Sequence, residues 1–161
     1  MRKAEPGKAI FGGFIATAVM TMMMYVAPAM GMPKMDIAAM LGSMLGNQMP
    51  APMTGAWWMG LILHLVNGSL IFPLIYSYLL NALLPGANWA RGALWGLMLW
   101  LLAQVAVMPM MGMGVFSAGT PQPMMSALGS LVGHGIYGAI LGAIVGQPAA
   151  VEEQGPLHRA A

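Results

Sequence analysis

The chain has 161 residues, 59% hydrophobic and 6% charged, with no cysteine. A water-facing domain carries about 25% charge, so this surface is suited to lipid. A thiolate nucleophile, a disulfide framework and cysteine-based zinc or iron–sulfur sites are excluded. The formal net charge of +2 rests on too few cations to mark a nucleic-acid surface.

Arg2, Lys3 and Lys8 precede an apolar run over about 9–30, too long for an ordinary signal-peptide core and followed by further apolar runs. It is expected to stay as a first membrane span. Between Pro33 and Gly46 lies a short helical segment, Met35–Leu45. Ile37, Leu41, Met44 and Leu45 can share one of its faces, and Asp36 at its start favours the helix dipole, with Lys34 beside it offsetting the charge. This predicts a short outer interfacial helix. The second span is expected over about 56–80, with His64, Asn67, Pro73, Tyr76 and Tyr78 inside it and Trp57 and Trp58 as belt anchors at its start. The third covers about 90–111, with Gln104 and Pro109, and the fourth about 125–146, with His134 and Tyr137. Spans of this length suit helices in a core of roughly 30 Å, and open sheets cannot sit in lipid.

The expected fold is therefore an all-α integral membrane bundle of four transmembrane helices. It forms one domain over 1–148, with a disordered polar tail over 149–161. Cations cluster before the first span, at Arg91 and at Arg159, and Lys34 stands alone elsewhere. The positive-inside rule then places both termini in the cytoplasm of a bacterial inner membrane, with the first and third loops outside.

Two short elements recur in the same order. Pro28-Ala29-Met30-Gly31-Met32 matches Pro109-Met110-Met111-Gly112-Met113, and His64-Leu65-Val66-Asn67-Gly68 matches His134-Gly135-Ile136-Tyr137-Gly138. Each unit holds two spans, which predicts a 2+2 parallel repeat. Glycine and serine recur every four residues around both histidines, at Gly60 and Gly68 and at Ser130, Gly138, Gly142 and Gly146. Small residues at that spacing let helices approach closely.

Eighteen of the twenty methionines fall in Met20–Met59 and Met108–Met125, around the two outward loops. Each histidine is expected about eight or nine residues into its span, roughly 12–14 Å deep, where a polar side chain needs a partner. Asn67 and Tyr137, three residues on, are local or cross-helix partners in that reading. Thioethers and imidazoles suit Cu(I), and His64, His134, Met20, Met24, Met108 and Met111 are the candidate ligands. The two histidines are also the candidates for one haem held between helices, and with Tyr76 and the tryptophans for contact with a quinone. Against all three stands plain packing, because methionine fills gaps beside glycine-lined helices.

Catalysis finds little support. The carboxylates are Glu5, Asp36, Glu152 and Glu153, none within a span, and Ser69, Ser126 and Ser130 lack a His–Asp set. No glycine-rich stretch ends as a phosphate loop does.

Residues 27–37, His64–Gly68 with Phe72-Pro73, Met108–Phe116 and Gly133–Gly138 resemble an uncharacterised family of small bacterial four-span membrane proteins, over nearly the whole chain. The resemblance implies four spans and carries no activity. The favoured expectation is a non-catalytic structural or accessory component of a larger membrane assembly, without a cofactor and with lipid and a membrane protein or a second copy as partners. Its signature is a closed, dry bundle. Copper handling or bis-histidine haem binding is the alternative, and it requires the histidines and sulfurs to converge.

Overall fold

The computed structural model describes residues 5–46 and 48–146, and the predicted tail over 149–161 lies outside them. Four helices are long and apolar enough to cross a membrane: α1 (Pro6–Met30), α3 (Gly55–Leu80), α4 (Asn88–Met110) and α5 (Pro123–Val145). A short helix, α2 (Ile37–Gly42), precedes α3 and runs into a tighter turn over Ser43–Leu45. The protein is a multi-pass, all-α membrane bundle. α1 and α5 begin a few residues earlier than the apolar runs do because each opens on a proline, Pro6 and Pro123. The first turn of a helix has no use for the missing N–H.

α3 and α4 each contain widened, π-helical turns. One spans Asn67–Ile71 and closes with Phe72 N–H donating to Asn67 O. Another spans Ala103–Val107 and closes with Met108 N–H donating to Ala103 O. Both turns stand just before a proline, Pro73 or Pro109. The proline offers no donor to the preceding turn and its ring crowds the carbonyl there. An inserted residue relieves the crowding, and turns of this kind recur at functional sites.

Close packing ties the helices into one sequence of neighbours: α5 lies against α4 and α1, and α1 against α3. The α4–α5 seam is glycine against backbone. A Cβ at Gly92 would stand 2.0 Å from Gly138 O, and one at Gly142 would stand 2.3 Å from Asn88 O. Likewise Gly13 of α1 admits Pro73 and Gly68 O of α3. The main core gathers Tyr76, Trp95 and Leu99, from the two arms of the α3–α4 hairpin, with Tyr137 and Leu141 of α5. There Phe72 and Trp95 meet edge-on at 6.4 Å.

The hairpin is locked by Arg91, which is 4% exposed. Its guanidinium donates to Gly86 O (2.9 Å), Asn81 O (2.8 Å), Asn81 Oδ1 (3.3 Å) and Asn88 Oδ1 (3.3 Å). Asn81 Nδ2 in turn donates to Gly146 O at 2.9 Å. A buried cation thus meets carbonyl and amide oxygens, and those of Asn81 lie at the C-terminal end of α3, where partial negative charge accumulates.

One expectation around the first loop needs correction, that for Trp57. α2 turns Ala38, Ala39, Met40 and Gly42 inward, and leaves Met44 and Leu45 exposed. The face expected from Ile37, Leu41, Met44 and Leu45 is the less buried one, with Ile37 and Leu41 half-buried. The reason is backbone proximity: Gly60 of α3 faces Ala38 O and Gly42 N so closely that a Cβ there would overlap them. Small residues therefore line the closest approach of the two backbones. Trp57 is 8% exposed and donates through Nε1 to both oxygens of Asp36 at 3.1 Å, so it braces α2 and does not serve as a belt anchor. The same carboxylate caps α2 by accepting from Ala39 N–H at 3.0 Å. Lys34 makes no ion pair with it among the described residues.

Candidate functional site

At the end opposite the hairpin the bundle is not closed. α3 leans on α2 there while α4 stays with α5, and a cavity of about 700 Å³ opens between the long helices. That size lies within the range of small-molecule pockets. His64, His134, Met20, Met24, Met108 and Met111, the six candidate ligands, all line it. So do six further methionines, for ten in all, and no charged side chain does so among the described residues. The closed, dry bundle expected of a packing protein is not what this end presents.

Three helices meet at the histidine level. On α1, Thr21 Oγ1 lies 2.8 Å from His64 Nε2 and donates its own proton to Thr17 O at 2.7 Å. A hydroxyl has one proton to give, so in this arrangement Nε2 of His64 carries the hydrogen and Nδ1 keeps a lone pair. On α5, His134 Nδ1 lies 2.8 Å from Ser130 O. A carbonyl only accepts, so Nδ1 carries the hydrogen and Nε2 keeps the lone pair. Each imidazole is thereby oriented through one nitrogen and left with a free donor pair on the other. Metal-ligating histidines share this pattern, since the second ring nitrogen usually donates to a carbonyl, a carboxylate or water.

Met20, next in sequence to Thr21, lies along α5 beside Gly133, with Cε 3.5 Å and Cγ 3.6 Å from where a Cβ would stand. Its sulfur, bonded to both carbons, therefore adjoins the residue before His134. Met108 is 4% exposed, while Met24 and Met111 are half-buried.

The partners anticipated for the histidines are different ones in the structure. Tyr137 OH donates to Gly68 O at 2.7 Å, bridging α5 to the widened turn of α3, and Thr21 and Ser130 take the imidazoles. Asn67 lines the cavity without bonding either ring. Thr21 was legible in principle: Thr17 and Thr21 stand one turn apart on an apolar helix, two hydroxyls on one face. Thr17 is 1% exposed, lines the cavity, and its Oγ1 has no hydrogen-bond partner among the described residues. Gln104, buried in the widened turn of α4, accepts at Oε1 from Ser117 Oγ at 3.0 Å.

The two Pro-x-Met-Gly-Met elements fold alike at the cavity mouth. Gly31 N–H donates to Pro28 O and Met32 N–H to Ala27 O, both at 3.1 Å. Gly112 N–H donates to Pro109 O and Met113 N–H to Met108 O, both at 2.9 Å. Gly31 (φ 82°) and Gly112 (φ 74°) both take the left-handed conformation that ends a helix.

The donor set bears on which guests fit. Hard divalent cations need several oxygen ligands, and none of the lining residues is a carboxylate. Among the described residues no three His, Cys, Asp or Glu side chains gather as zinc would need. A haem's propionates would meet no Lys or Arg in the lining. Neutral imidazole and thioether donors remain, the set preferred by soft monovalent cations.

Fold and cavity define a class: a small four-span helical membrane protein with a Met/His-lined pocket at one end. The chain belongs to DUF6789, a family of unknown function, with the match covering residues 3–154. No curated protein and no solved structure matches it.

Proposed function

We propose that this protein is a non-catalytic, soft-cation-binding membrane protein that holds Cu(I) in its Met/His cavity. His64 Nδ1 and His134 Nε2 supply nitrogen, and Met20, Met24 and Met108 supply sulfur. In this reading both termini and the Arg91 hairpin face the cytoplasm of a bacterial inner membrane and the cavity opens outward. α2 lies at the outer interface, and the chain is a 2+2 parallel repeat whose like-folded Pro-x-Met-Gly-Met elements flank the mouth.

The observation that carries the reading is the convergence of both histidines, each with one nitrogen committed to a protein acceptor, on a charge-free cavity lined by ten methionines. The cavity is wider than one ion, but methionine has three rotatable bonds and a soft sulfur, so its side chains can close around a guest. Neutral ligands suit a monovalent ion inside a membrane better than carboxylates would, because an unoccupied site then buries no charge.

A structural or accessory role in a larger assembly is the second reading, favoured by the glycine-to-backbone seam of α4 and α5, which makes a rigid helix pair without any guest. Gently purified protein from copper- and haem-replete cells separates the two. Metal and haem analysis of wild type beside His64→Ala/His134→Ala should find copper near one per chain in the first and depleted in the second. Wild-type protein free of copper would overturn the copper reading, and a co-purifying membrane partner in that same sample would favour the accessory one.

A further inference from the structure

The cavity holds more sulfur than one site can use, and its distribution is uneven. Met20 sits at the histidine level, beside Gly133. Met30 ends α1, Met32 and Met35 belong to the loop leaving it, and Met111 belongs to the matching element after α4, yet all four line the same cavity. No histidine lies among them in sequence. Met32 reaches furthest: a Cβ at Gly129 of α5 would stand 2.7 Å from its Cε. Gly129 is one turn along α5 from Gly133, an axial step of about 6 Å. The glycine leaves room for the end of the Met32 side chain against α5.

The loop that carries these residues is not free chain. Met32 N–H is bonded back to Ala27 O. Its nearest charges are committed elsewhere or point away: the Asp36 carboxylate is held by Ala39 N–H and Trp57, and Lys34 is exposed and does not line the cavity. Met30 is 78% exposed. The result is a neutral, methionine-rich rim carried in part by like-folded turns.

We infer that this rim is a second, thioether-only station for a soft monovalent cation, formed by Met30, Met32, Met35 and Met111, which receives the ion before the histidines take it. The inference rests on the histidine site proposed above. Its chemistry follows from the donors: Cu(I) bound by thioethers alone is held loosely enough to pass on, and replacing sulfur by imidazole strengthens the site one turn deeper. Met32 lies against Gly129 and Met20 against Gly133, so thioethers mark both levels along α5. Ligand exchange moves the ion with no change of oxidation state and no proton transfer at the rim, because a thioether carries no proton to release.

Silver(I), a redox-inert stand-in for Cu(I), tests this on the full chain in detergent. Stoichiometry is read by equilibrium dialysis at saturating Ag(I), which counts a loosely held ion that purification would strip, and donor type by X-ray absorption. Wild type should bind two equivalents, with mixed nitrogen and sulfur scattering. Met30→Leu/Met32→Leu/Met35→Leu should bind one and keep the nitrogen signature, which also reports that it has folded. His64→Ala/His134→Ala should bind one through sulfur only, unchanged from acid to neutral pH. If the methionine variant binds as wild type does, the rim station is overturned while the histidine site stands. If the histidine variant matches wild type in stoichiometry and signature, the histidine site is overturned, and with it the order of transfer.

Discussion

The α4–α5 seam makes a sharp prediction, because it reaches the site through one atom. A Cβ added at Gly96 would stand 2.9 Å from His134 C and 2.1 Å from His134 O, the latter more than 1 Å short of the ordinary contact limit of 3.4 Å. The obstacle is backbone, so no rotamer change relieves it. Gly96→Ala must push α4 and α5 apart or shift the His134 peptide, loosening the neighbouring Gly92–Gly138 and Gly142–Asn88 contacts too. Overpacking of this kind costs about 1–3 kcal/mol, or roughly five- to 150-fold in the folding equilibrium. The control is Gly135→Ala on α5, where nothing lies within 4 Å of the added carbon. There the exchange should be neutral or stabilising by up to about 1 kcal/mol, from helix propensity. Reversible unfolding in mixed micelles, followed by tryptophan fluorescence and circular dichroism, reads both variants. Gly96→Ala should also weaken Ag(I) binding, since the peptide it displaces carries His134. The seam as described is refuted if Gly96→Ala is as stable as wild type while Gly135→Ala is the weaker variant.

Thr21→Val removes the acceptor for His64 Nε2–H and frees the ring to turn or change tautomer. Loss of such a supporting group typically costs about 10–100-fold in metal affinity, so Ag(I) binding should fall by that factor with stability little changed; unchanged affinity would show that Thr21 does not position the ring. Tyr137→Phe deletes the 2.7 Å bond to Gly68 O across α5 and α3 and should lower unfolding stability by about 1 kcal/mol, measured in the same micelle assay. Arg91→Lys keeps the charge but cannot reproduce the fork of bonds to Gly86, Asn81 and Asn88, so the hairpin should exchange amide hydrogens faster than wild type across residues 80–90. The chain lacks cysteine, so single Leu83→Cys and Met49→Cys variants can be labelled in intact cells by a membrane-impermeant maleimide. Labelling of the second and not the first is expected from the proposed orientation, and the reverse pattern would invert it.

Four membrane-length helices were plainly legible, because 20 or more apolar residues in a row leave few alternatives. Helix ends were legible to within a few residues, and the misses at Pro6 and Pro123 came from starting each span at its first apolar residue. The six candidate ligands were chosen by residue type and depth, and the structure gathers them in one cavity. Their hydrogen-bond partners were not legible. Sequence spacing points to neighbours on the same helix, whereas His64 is held by Thr21, 43 residues away on another helix. The face of α2 that packs on α3 was not legible for a related reason. Periodicity weighs side-chain size, yet contact with Gly60 is decided by how close two backbones can come.

Tight packing and an open cavity are not competing descriptions of this bundle; one produces the other. The glycines of α4 end at Gly96, which meets α5 at His134. Towards the hairpin the two backbones are in contact through Gly92, Gly138 and Gly142. Beyond Gly96 the α4 residues that line the cavity are Leu99, Leu102, Ala103, Gln104, Val107 and Met108, most of them large, and the chain widens into a π-helical turn. α3 changes in the same sense at Asn67–Ile71. Its cavity half then leans on α2 through Gly60, away from α4. The histidines stand at this transition, where close packing gives way to space. A histidine that served only to cross-link helices would be expected inside the seam with both nitrogens used, whereas each of these spends one on the protein and keeps a lone pair on the other.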